Sequence, residues 1–295
     1  MSKHKHKPTV RTDSILPASI LSNGVVSIKK CRHGLFMYNA NDLFVGHGMD
    51  SYGEWCETEL DCLGQLLKSG DVVIDVGANI GTHSVFFSQK VAPGGMVYAF
   101  EPQRLTFEYL CANLALNGSY NAYPVQAAAA DQHANLTIPV LDPAVVQNFA
   151  DLKIEGHTTG DLVKVVPLDS LELHRVNLIK IDVEGMEIKV LRGAEKTIRI
   201  CRPFLFVENN SIDGSPDLVD LLFELGYKCW WHIEPYYNPN NFFANPKNDW
   251  ADMVPEGNMI CVPVEIPLNV TGFEPVIDRQ DTWVKALERQ GLITK

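Results

Sequence analysis

Several features that mark whole classes of protein are missing from this sequence of 295 residues. No apolar run approaches the ~18 residues that a membrane-spanning helix needs, and no CxxC pair occurs. The seven cysteines are odd in number and widely spaced, which argues against a disulfide framework or a zinc site. With 46% hydrophobic and 21% charged residues, the composition is that of a soluble globular protein. We therefore expect free thiols and a reducing compartment, which indicates a cytoplasmic location.

Positive charge is scarce outside the start of the chain. The formal net charge is −11, but residues 1–30 hold six basic residues and one acidic residue, so the remainder carries −16. An acidic body is a poor electrostatic match for nucleic acid, and no nucleic-acid partner is expected. Residues 1–19 do not read as a secretory signal and are predicted to form a disordered basic tail. Binding of a metal or an acidic surface through the histidines and lysines of that tail is the alternative.

Short, mostly apolar runs, the first of them rich in β-branched residues, alternate with helical patterns from residue 71 onward, which predicts an α/β protein with a mostly parallel sheet. Strands are predicted at 71–76, 96–100, 123–127, 176–183, 203–208, 228–233 and 259–264, with helices at 54–68, 82–90, 103–117, 186–197 and 216–225. The intervals 132–165 and 234–258 interrupt the alternation, and we expect them to cover the sheet or the site. In such a sheet the ligand lies beyond the carboxyl ends of the strands.

The turn after the first core strand is the first candidate site, and residues 75–83 read Asp-Val-Gly-Ala-Asn-Ile-Gly-Thr-His. Gly77 and Gly81 permit a tight turn and close approach of a ligand to the backbone, and a helix that begins at Thr82 offers free N–H groups. A dinucleotide fingerprint would read GxGxxG, whereas Asn79 occupies the middle position. The turn therefore favours a cofactor with a carboxylate and an amine over NAD; an ordinary strand-to-helix turn is the alternative.

The end of the second core strand carries an acidic residue. Glu101 lies 26 residues beyond Asp75, within the sequence Phe-Glu-Pro at 100–102. A carboxylate at this place can accept both hydrogen bonds of a ribose diol and would repel a 2′-phosphate. A charge at a helix start is the structural alternative, and the preceding turn favours the ribose role.

The fourth strand ends in charged residues. Alternation along the strand puts Lys180, Asp182 and Glu184 on one face. Three charges in an apolar strand are costly unless they are paired, so a structural ion pair with Lys180 is one interpretation. The functional interpretation is that Asp182 and Glu184 position a hydroxyl group and take its proton.

Three motifs together resemble the FkbM-type S-adenosylmethionine-dependent methyltransferases: residues 75–84, 100–102 and 179–187. Residues 207–209 and 258–263 fit the same pattern. The resemblance implies a class I methyltransferase fold, a Rossmann-like three-layer α/β sandwich whose seven-stranded sheet is mostly parallel with an antiparallel last strand. It also implies methyl transfer, usually to an oxygen of a sugar or another small molecule. An inactive module that binds S-adenosylmethionine and, less favoured, an NAD-dependent oxidoreductase are the alternatives.

The resemblance covers a predicted methyltransferase domain at residues 50–264. Residues 20–49 are predicted as an N-terminal β extension, and residues 265–295 as a C-terminal helical extension. An amphipathic pattern at 274–291 predicts a helix that docks on the body or pairs two chains in a homo-oligomer.

The resemblance also implies roles for individual residues. Gly77, Asn79 and Gly81 would contact the methionine part of S-adenosylmethionine, Glu101 its ribose, and Ala128 would leave room for adenine. Glu59 would reach the methionine amine, or is a solvent-facing helix charge. The predicted cofactor residues are Glu59, Gly77, Asn79, Gly81, Thr82, Glu101, Ala128 and Asp182, and the predicted catalytic residues are His83, Lys180, Asp182 and Glu184.

Three further hypotheses keep their alternatives. Asp182, Glu208 and Asn209 offer oxygen ligands at adjacent strand ends, similar to cation-dependent O-methyltransferases, and predict a Mg²⁺ or Mn²⁺ site. His83 is a candidate general base, or a first-turn histidine that bonds the backbone. The aromatic segment 230–243 binds a ring-bearing acceptor or packs on the sheet edge.

Overall fold

Strands and helices alternate along the residues that the computed structural model describes, which are 17–150, 152, 156–268 and 270–292. Residues 1–16 of the predicted basic tail lie outside this part of the chain. The strands are β1 (Leu21–Ser22), β2 (Val26–Cys31), β3 (Gly34–Asn39), β4 (Val72–Val76), β5 (Met96–Phe100), β6 (Ala122–Val125), β7 (Ala128–Ala129), β8 (Ala134–Ile138), β9 (Asp161–Val166), β10 (Leu178–Ile181), β11 (Phe204–Glu208), β12 (Tyr227–Glu234), β13 (Glu256–Pro263) and β14 (Glu274–Pro275). The helices are α1 (Val45–Ser51), α2 (Glu57–Leu66), α3 (Thr82–Val91), α4 (Arg104–Leu116), α5 (Glu187–Gly193), α6 (Glu195–Cys201), α7 (Ser215–Glu224) and α8 (Trp283–Gln290).

The large sheet positions the site. Within the described residues it has eight strands in the order β14-β12-β13-β11-β10-β4-β5-β6. Strands β11, β10, β4, β5 and β6 pair in parallel, and β13 runs antiparallel to β11 and β12. The predicted mostly parallel sheet with an antiparallel last strand is confirmed for the seven strands from β12 to β6 in this order. The edge strand β14 is an eighth strand, which the sequence did not predict. That strand is only two residues long, and its Pro275 is tolerated because an edge strand needs no further ladder hydrogen bond.

Helices cover both faces of this sheet and make the three layers. The apolar side chains of α5, α6, α7 and α8 pack on one face, and those of α1, α2, α3 and α4 pack on the other together with β2 and β3. All five residues of β4 are buried, because this central strand is covered on both sides. No helix in the described part of the chain is long and apolar enough to cross a membrane.

Two predicted helices differ from the structure. The predicted helix 186–197 is divided into α5 and α6, because the carboxylate of Asp169 accepts hydrogen bonds from the backbone N–H groups of Lys196 (3.0 Å) and Thr197 (2.7 Å) and so caps a new helix start. The predicted helix 274–291 is confirmed only over α8, which begins after the capping residue Thr282. The segment before it forms β14 and a turn instead.

The N-terminal extension is docked on the main body. The backbone N–H groups of Leu35 and Met37 in β3 donate to the side chains of Asn117 (2.8 Å) and Asn113 (2.7 Å) of α4. The predicted boundary between residues 49 and 50 falls inside α1. The predicted interruption at 132–165 contains β8 and most of β9, which form a small sheet with β7 in the order β7-β9-β8.

Candidate active site

A cleft lies at the carboxyl edge of the parallel strands and consists of two adjoining cavities. The apolar cavity is lined mainly by residues that follow β4, β5, β6 and β10, including Phe100, Glu101, Ala127, Ala128, Asp182 and Met186. The acidic cavity is lined by Val45, Trp55, Cys56, Glu59, Asn79, Thr82, His83, Lys180 and Glu256, among others. Gly77, Glu101, Asp182 and Glu184 line both cavities, so the cleft is continuous.

The turn after β4 has a backbone that only a few residue types adopt readily. Gly77 (φ +80°), Asn79 (φ +50°) and Gly81 (φ +88°) all lie in the left-handed region. A Cβ atom at Gly77 would lie 1.8 Å from the carbonyl oxygen of Asp182, so the turn is pressed against the end of β10. The N–H group of Gly77 donates to the carbonyl of Phe100 at 3.0 Å. These contacts hold the turn at the floor of the cleft.

Glu101 is buried at the end of β5 and faces the turn. Its carboxylate accepts hydrogen bonds from the backbone N–H groups of Asn79 (3.0 Å) and Gln103 (2.8 Å). Burial raises the pKa of Glu101 to about 7, although these two hydrogen bonds act in the opposite direction. Each carboxylate oxygen keeps a second lone pair, so the group can still accept hydrogen bonds from hydroxyl groups in the cleft.

Small side chains line the apolar cavity beyond Glu101. Ala127, Ala128 and Ala129 are each 3% exposed, and Phe100 and Met186 complete this part of the wall. The three alanines keep this part of the cavity apolar and place no long side chain in it. A flat ring fits such a surface.

Glu59 and His83 form a buried polar network under the acidic cavity. The carboxylate of Glu59 contacts His83 Nε2 at 3.1 Å and accepts a hydrogen bond from Asn258 Nδ2 at 3.0 Å. Glu59 is 6% exposed, so the alternative of a solvent-facing charge is wrong. The other ring nitrogen of His83 lies 3.4 Å from Thr82 Oγ1, and the ring is thus held by side chains rather than by the backbone.

Lys180 is buried between two strand ends. Its ammonium group donates to Asp182 Oδ2 at 2.9 Å and lies 3.7 Å from Asp75 Oδ1 and 3.5 Å from the carbonyl oxygen of Gly77. Burial alone would lower the pKa of Lys180, but the carboxylates of Asp182 and Asp75 outweigh it and raise the pKa. The lysine therefore stays charged in the cleft floor.

Three carboxylates meet above this lysine. Oxygen atoms of Asp182, Glu184 and Glu208 lie within 4.8 Å of one another. Burial, and then the charges of Asp182 and Glu184, raise the pKa of Glu208 well above its ordinary value. The amide nitrogen of Asn209, a predicted metal ligand, donates to Ser215 Oγ at 2.9 Å. The structure thus brings Glu184 to the two predicted carboxylates, whereas the amide of Asn209 is held by α7.

Two prominent residues of the acidic cavity were missed by the sequence interpretation. Glu256 is the first residue of β13, and because this strand runs antiparallel its beginning lies at the carboxyl edge of the sheet. The rule that site residues follow a parallel strand does not apply to a residue that begins an antiparallel strand, so Glu256 was not predicted. Trp55 precedes α2 and reaches the cavity through tertiary packing. The implied antiparallel last strand was the signal that could have found Glu256.

The aromatic segment 230–243 is divided between two environments. Trp231 is buried in the sheet, where its indole N–H donates to Asp281 at 3.2 Å. Tyr236 lies beyond β12 and stacks on Trp55, with ring centroids 5.7 Å apart and an interplanar angle of 29°. The prediction that the segment packs on the sheet is therefore confirmed at Trp231. Beyond β12, Tyr236 packs against Trp55, which lines the cleft.

Residues 75–229 match the family model described as the methyltransferase FkbM domain. The chain is 30% identical over 173 residues to the hexuronic acid methyltransferase AglP of Haloferax volcanii, covering 56% of this chain and 68% of that protein. It is 30% identical over 161 residues to the 31-O-demethyl-FK506 methyltransferase FkbM of Streptomyces tacrolimicus, covering 44% and 61%. Among solved structures, an FkbM methyltransferase from Methylobacillus flagellatus is similar at a TM-score of 0.42 and 18% identity, covering 65% of this chain and 43% of that one. The chain spans between 58% and 68% of the curated relatives that it matches.

Proposed function

The chain belongs to the FkbM methyltransferase family and is a methyltransferase that uses S-adenosylmethionine, and we propose that it methylates a hydroxyl oxygen of a small molecule or a glycan. The observation that carries this proposal is the continuous cleft in which the turn at Gly77, the carboxylate of Glu101 and the carboxylates of Asp182 and Glu184 face one another. Two of the relatives are described as methyltransferases of a hexuronic acid and of 31-O-demethyl-FK506, and these descriptions support an oxygen acceptor.

The residues of the apolar cavity fit S-adenosylmethionine, which when bound supplies an electrophilic methyl group. The positive-φ backbone at Gly77 and Asn79 allows close approach to the turn, and Glu101 would hold a ribose diol. Ala128 and its neighbours would leave room for adenine, and Glu59 would face the amine. Gly81 and Thr82 would complete the contacts at the start of α3.

The acceptor side supplies position and a proton acceptor. Asp182 and Glu184 would hold the acceptor hydroxyl and remove its proton, with a share of the rate coming from orientation alone. His83 is the second candidate base, and its contact with Glu59 would fix the ring orientation. Lys180, which is 2% exposed, would act through these carboxylates.

A divalent cation is a further part of the proposal. Three carboxylate oxygens within 4.8 Å suit Mg²⁺ or Mn²⁺, which prefer oxygen ligands. The carboxylates of Asp182 and Glu208 each already accept one hydrogen bond, from Lys180 and from Asn210 respectively. A bound cation would lower the pKa of an acceptor hydroxyl, and Asp182, Glu184 and Glu208 would hold it.

The proposal is tested first by binding and then by turnover. Isothermal titration is expected to show micromolar affinity for S-adenosylhomocysteine in the wild type and strong weakening in Glu101→Ala. In an acceptor screen with labelled methyl donor, Asp182→Asn is expected to keep this affinity and to lose about 10²- to 10⁴-fold in turnover. Binding without transfer to any acceptor would instead favour an inactive module. Loss of activity in EDTA, with recovery in Mg²⁺ or Mn²⁺, would identify the cation.

A further inference from the structure

One buried cation joins the two halves of the cleft. The ammonium group of Lys180 is within 3.7 Å of three acceptors: Asp182 Oδ2, Asp75 Oδ1 and the carbonyl oxygen of Gly77. Asp182 is 36% exposed at its side chain and faces the cleft, and Gly77 belongs to the turn after β4. Asp75 is completely buried and lines neither cavity. The lysine therefore contacts the turn proposed to bind the cofactor, the carboxylate proposed to serve the acceptor, and one buried residue that lines neither cavity.

Backbone contacts make the same connection. Lys180 and Asp75 are register partners in the parallel pair of β10 and β4, and the N–H group of Asp182 donates to the carbonyl oxygen of Val76 at 3.1 Å. The missing side chain of Gly77 lets the carbonyl oxygen of Asp182 approach the turn closely. A shift of the Lys180 side chain would therefore be felt both at the turn and at the Asp182 carboxylate.

The two carboxylates depend unequally on Lys180. Asp75 also accepts a hydrogen bond from Ser84 Oγ through Oδ2, but its Oδ1 atom has no hydrogen-bond donor among the described residues and faces only the ammonium group at 3.7 Å. Asp182 holds the shorter contact, at 2.9 Å. A lysine serving only to neutralise Asp75 would be expected to sit closest to that residue, and this one does not.

We propose that Lys180, although it lies in the wall of the acidic cavity, is a positioning residue: its ammonium group is engaged by Asp182, Asp75 and Gly77 rather than by cofactor or acceptor, and it fixes the turn at Gly77 and the carboxylate of Asp182 relative to each other. This inference rests on the proposed function, since it concerns the same cleft. It assigns to Lys180 a role that differs from direct catalysis and from a simple buried ion pair. Its consequence is that affinity for the cofactor product depends on a side chain that does not touch it.

The test separates position from charge balance with a pair of variants. Lys180→Met removes the ammonium group, keeps the length of the side chain and leaves Asp75 buried without a cation, so the melting temperature is expected to fall by ~10 °C. In Lys180→Met/Asp75→Asn both buried charges are gone, and most of that fall is expected to be recovered. Affinity for S-adenosylhomocysteine, measured by isothermal titration, is expected to stay about tenfold below the wild type in the double variant.

Recovery of both melting temperature and affinity in the double variant would overturn the proposal, because Lys180 would then be only a counter-ion for Asp75. Asp75→Asn alone is the matched control and is expected to keep affinity within about twofold. Hydrogen exchange adds an independent readout: the amides of residues 77–80 are expected to exchange faster in the double variant, and unchanged exchange would also contradict the proposal. If the wild type does not bind S-adenosylhomocysteine, the proposed function itself is wrong. The titration of the wild type shows this before any variant is measured.

Discussion

The two sides of the cleft come from different parts of the chain. The proposed cofactor side is formed mainly by the turn at Gly77, by Glu101 and by Ala127 to Ala129, which lie within residues 75–229 of the family match, while Glu59 is a proposed cofactor contact outside that range. The proposed acceptor side, formed by Val45, Trp55, Tyr236 and Glu256, lies outside that range. Asp182 and Glu184 stand between them.

This difference explains what family membership can and cannot predict. A cofactor common to a family needs one constant set of strand ends, and consecutive βα units provide it. An acceptor can differ between relatives, and here its side of the cleft is built from segments before and after those units. On this proposal the chemistry of methyl transfer follows from the matched range, while the identity of the acceptor would depend on residues that the match does not reach.

The cofactor side is most sharply tested at Gly77. In Gly77→Ala the new Cβ atom would lie 1.8 Å from the carbonyl oxygen of Asp182, at a φ of +80°, so the turn or the end of β10 must move. A misplacement of about 1 Å can lower the rate of an enzyme about 10²-fold. We expect a loss of at least this size, about 100-fold, in the affinity for S-adenosylhomocysteine measured by titration.

Gly70→Ala is the control for that experiment. Gly70 has nearly the same backbone angle, φ +87°, but nothing lies within 4 Å of the added Cβ atom. It is expected to lose only the ~1–2 kcal/mol of stability that a left-handed alanine costs, with unchanged affinity. Binding by Gly77→Ala within threefold of the wild type would show that the turn is not the cofactor site.

The acceptor side depends on a buried carboxylate that ties its segments together. Glu54 accepts hydrogen bonds from Arg32 Nε (2.8 Å), from Asn238 Nδ2 (2.7 Å) and from the backbone N–H of Phe242 (2.7 Å). Charged hydrogen bonds of this kind are worth about 1.5–3 kcal/mol each. We expect Glu54→Gln to raise hydrogen exchange at residues 238–243 roughly ten- to thirtyfold and to leave affinity for S-adenosylhomocysteine unchanged.

Glu57→Gln serves as the comparison, because Glu57 is also buried and contacts His33 and Arg32, but among the described residues it makes no hydrogen bond or ion pair with residues 238–243. Glu57→Gln is expected to leave hydrogen exchange at residues 238–243 unchanged from the wild type. Faster exchange at residues 77–80 in Glu54→Gln would contradict the separation of the two sides.

The sequence predicted the cofactor side because its signals are local. Strands β4, β5 and β10 appear in the sequence as short, mostly apolar runs, and each is followed directly by one of the residues Gly77, Glu101 and Asp182. Each of these residues could be assigned to the carboxyl edge from the strand that precedes it. The order of strands in the sheet then brings them together.

The remaining features depend on contacts between distant residues. The break between α5 and α6 is made by Asp169, which lies 27 residues before Lys196. The short α8 begins late because Glu274 and Pro275 pair with Trp231 and Trp230 of β12 as the strand β14. No periodicity within either segment could reveal these partners, and the same holds for Trp55 and Glu256 in the cleft.

The smallest effect that we expect concerns the pH dependence of the cofactor side, through Glu101. Because the pKa of Glu101 is raised from an ordinary 4.5 to about 7, its favourable contribution to folding is complete below pH 4.5 and is lost as the pH rises through 7. Cofactor binding has the opposite sign. Ribose hydroxyl groups donate to the ionised carboxylate and lower its pKa, so binding releases a proton and affinity rises with pH.

Between pH 6 and pH 8 we expect affinity for S-adenosylhomocysteine to increase about fivefold, with about tenfold as the limit for a single proton with a pKa near 7. S-adenosylhomocysteine is the right probe because its sulfur is neutral and adds no charge beside Asp182 and Glu184.

In Glu101→Gln the amide cannot ionise, and the affinity should be weaker and independent of pH over this range. If the slope persists in Glu101→Gln, the titrating group is another one, and Glu208 or Glu256, whose pKa values burial raises well above the ordinary range, would be the next to replace by glutamine. That outcome would move the pH control from the cofactor side of the cleft to its acidic centre.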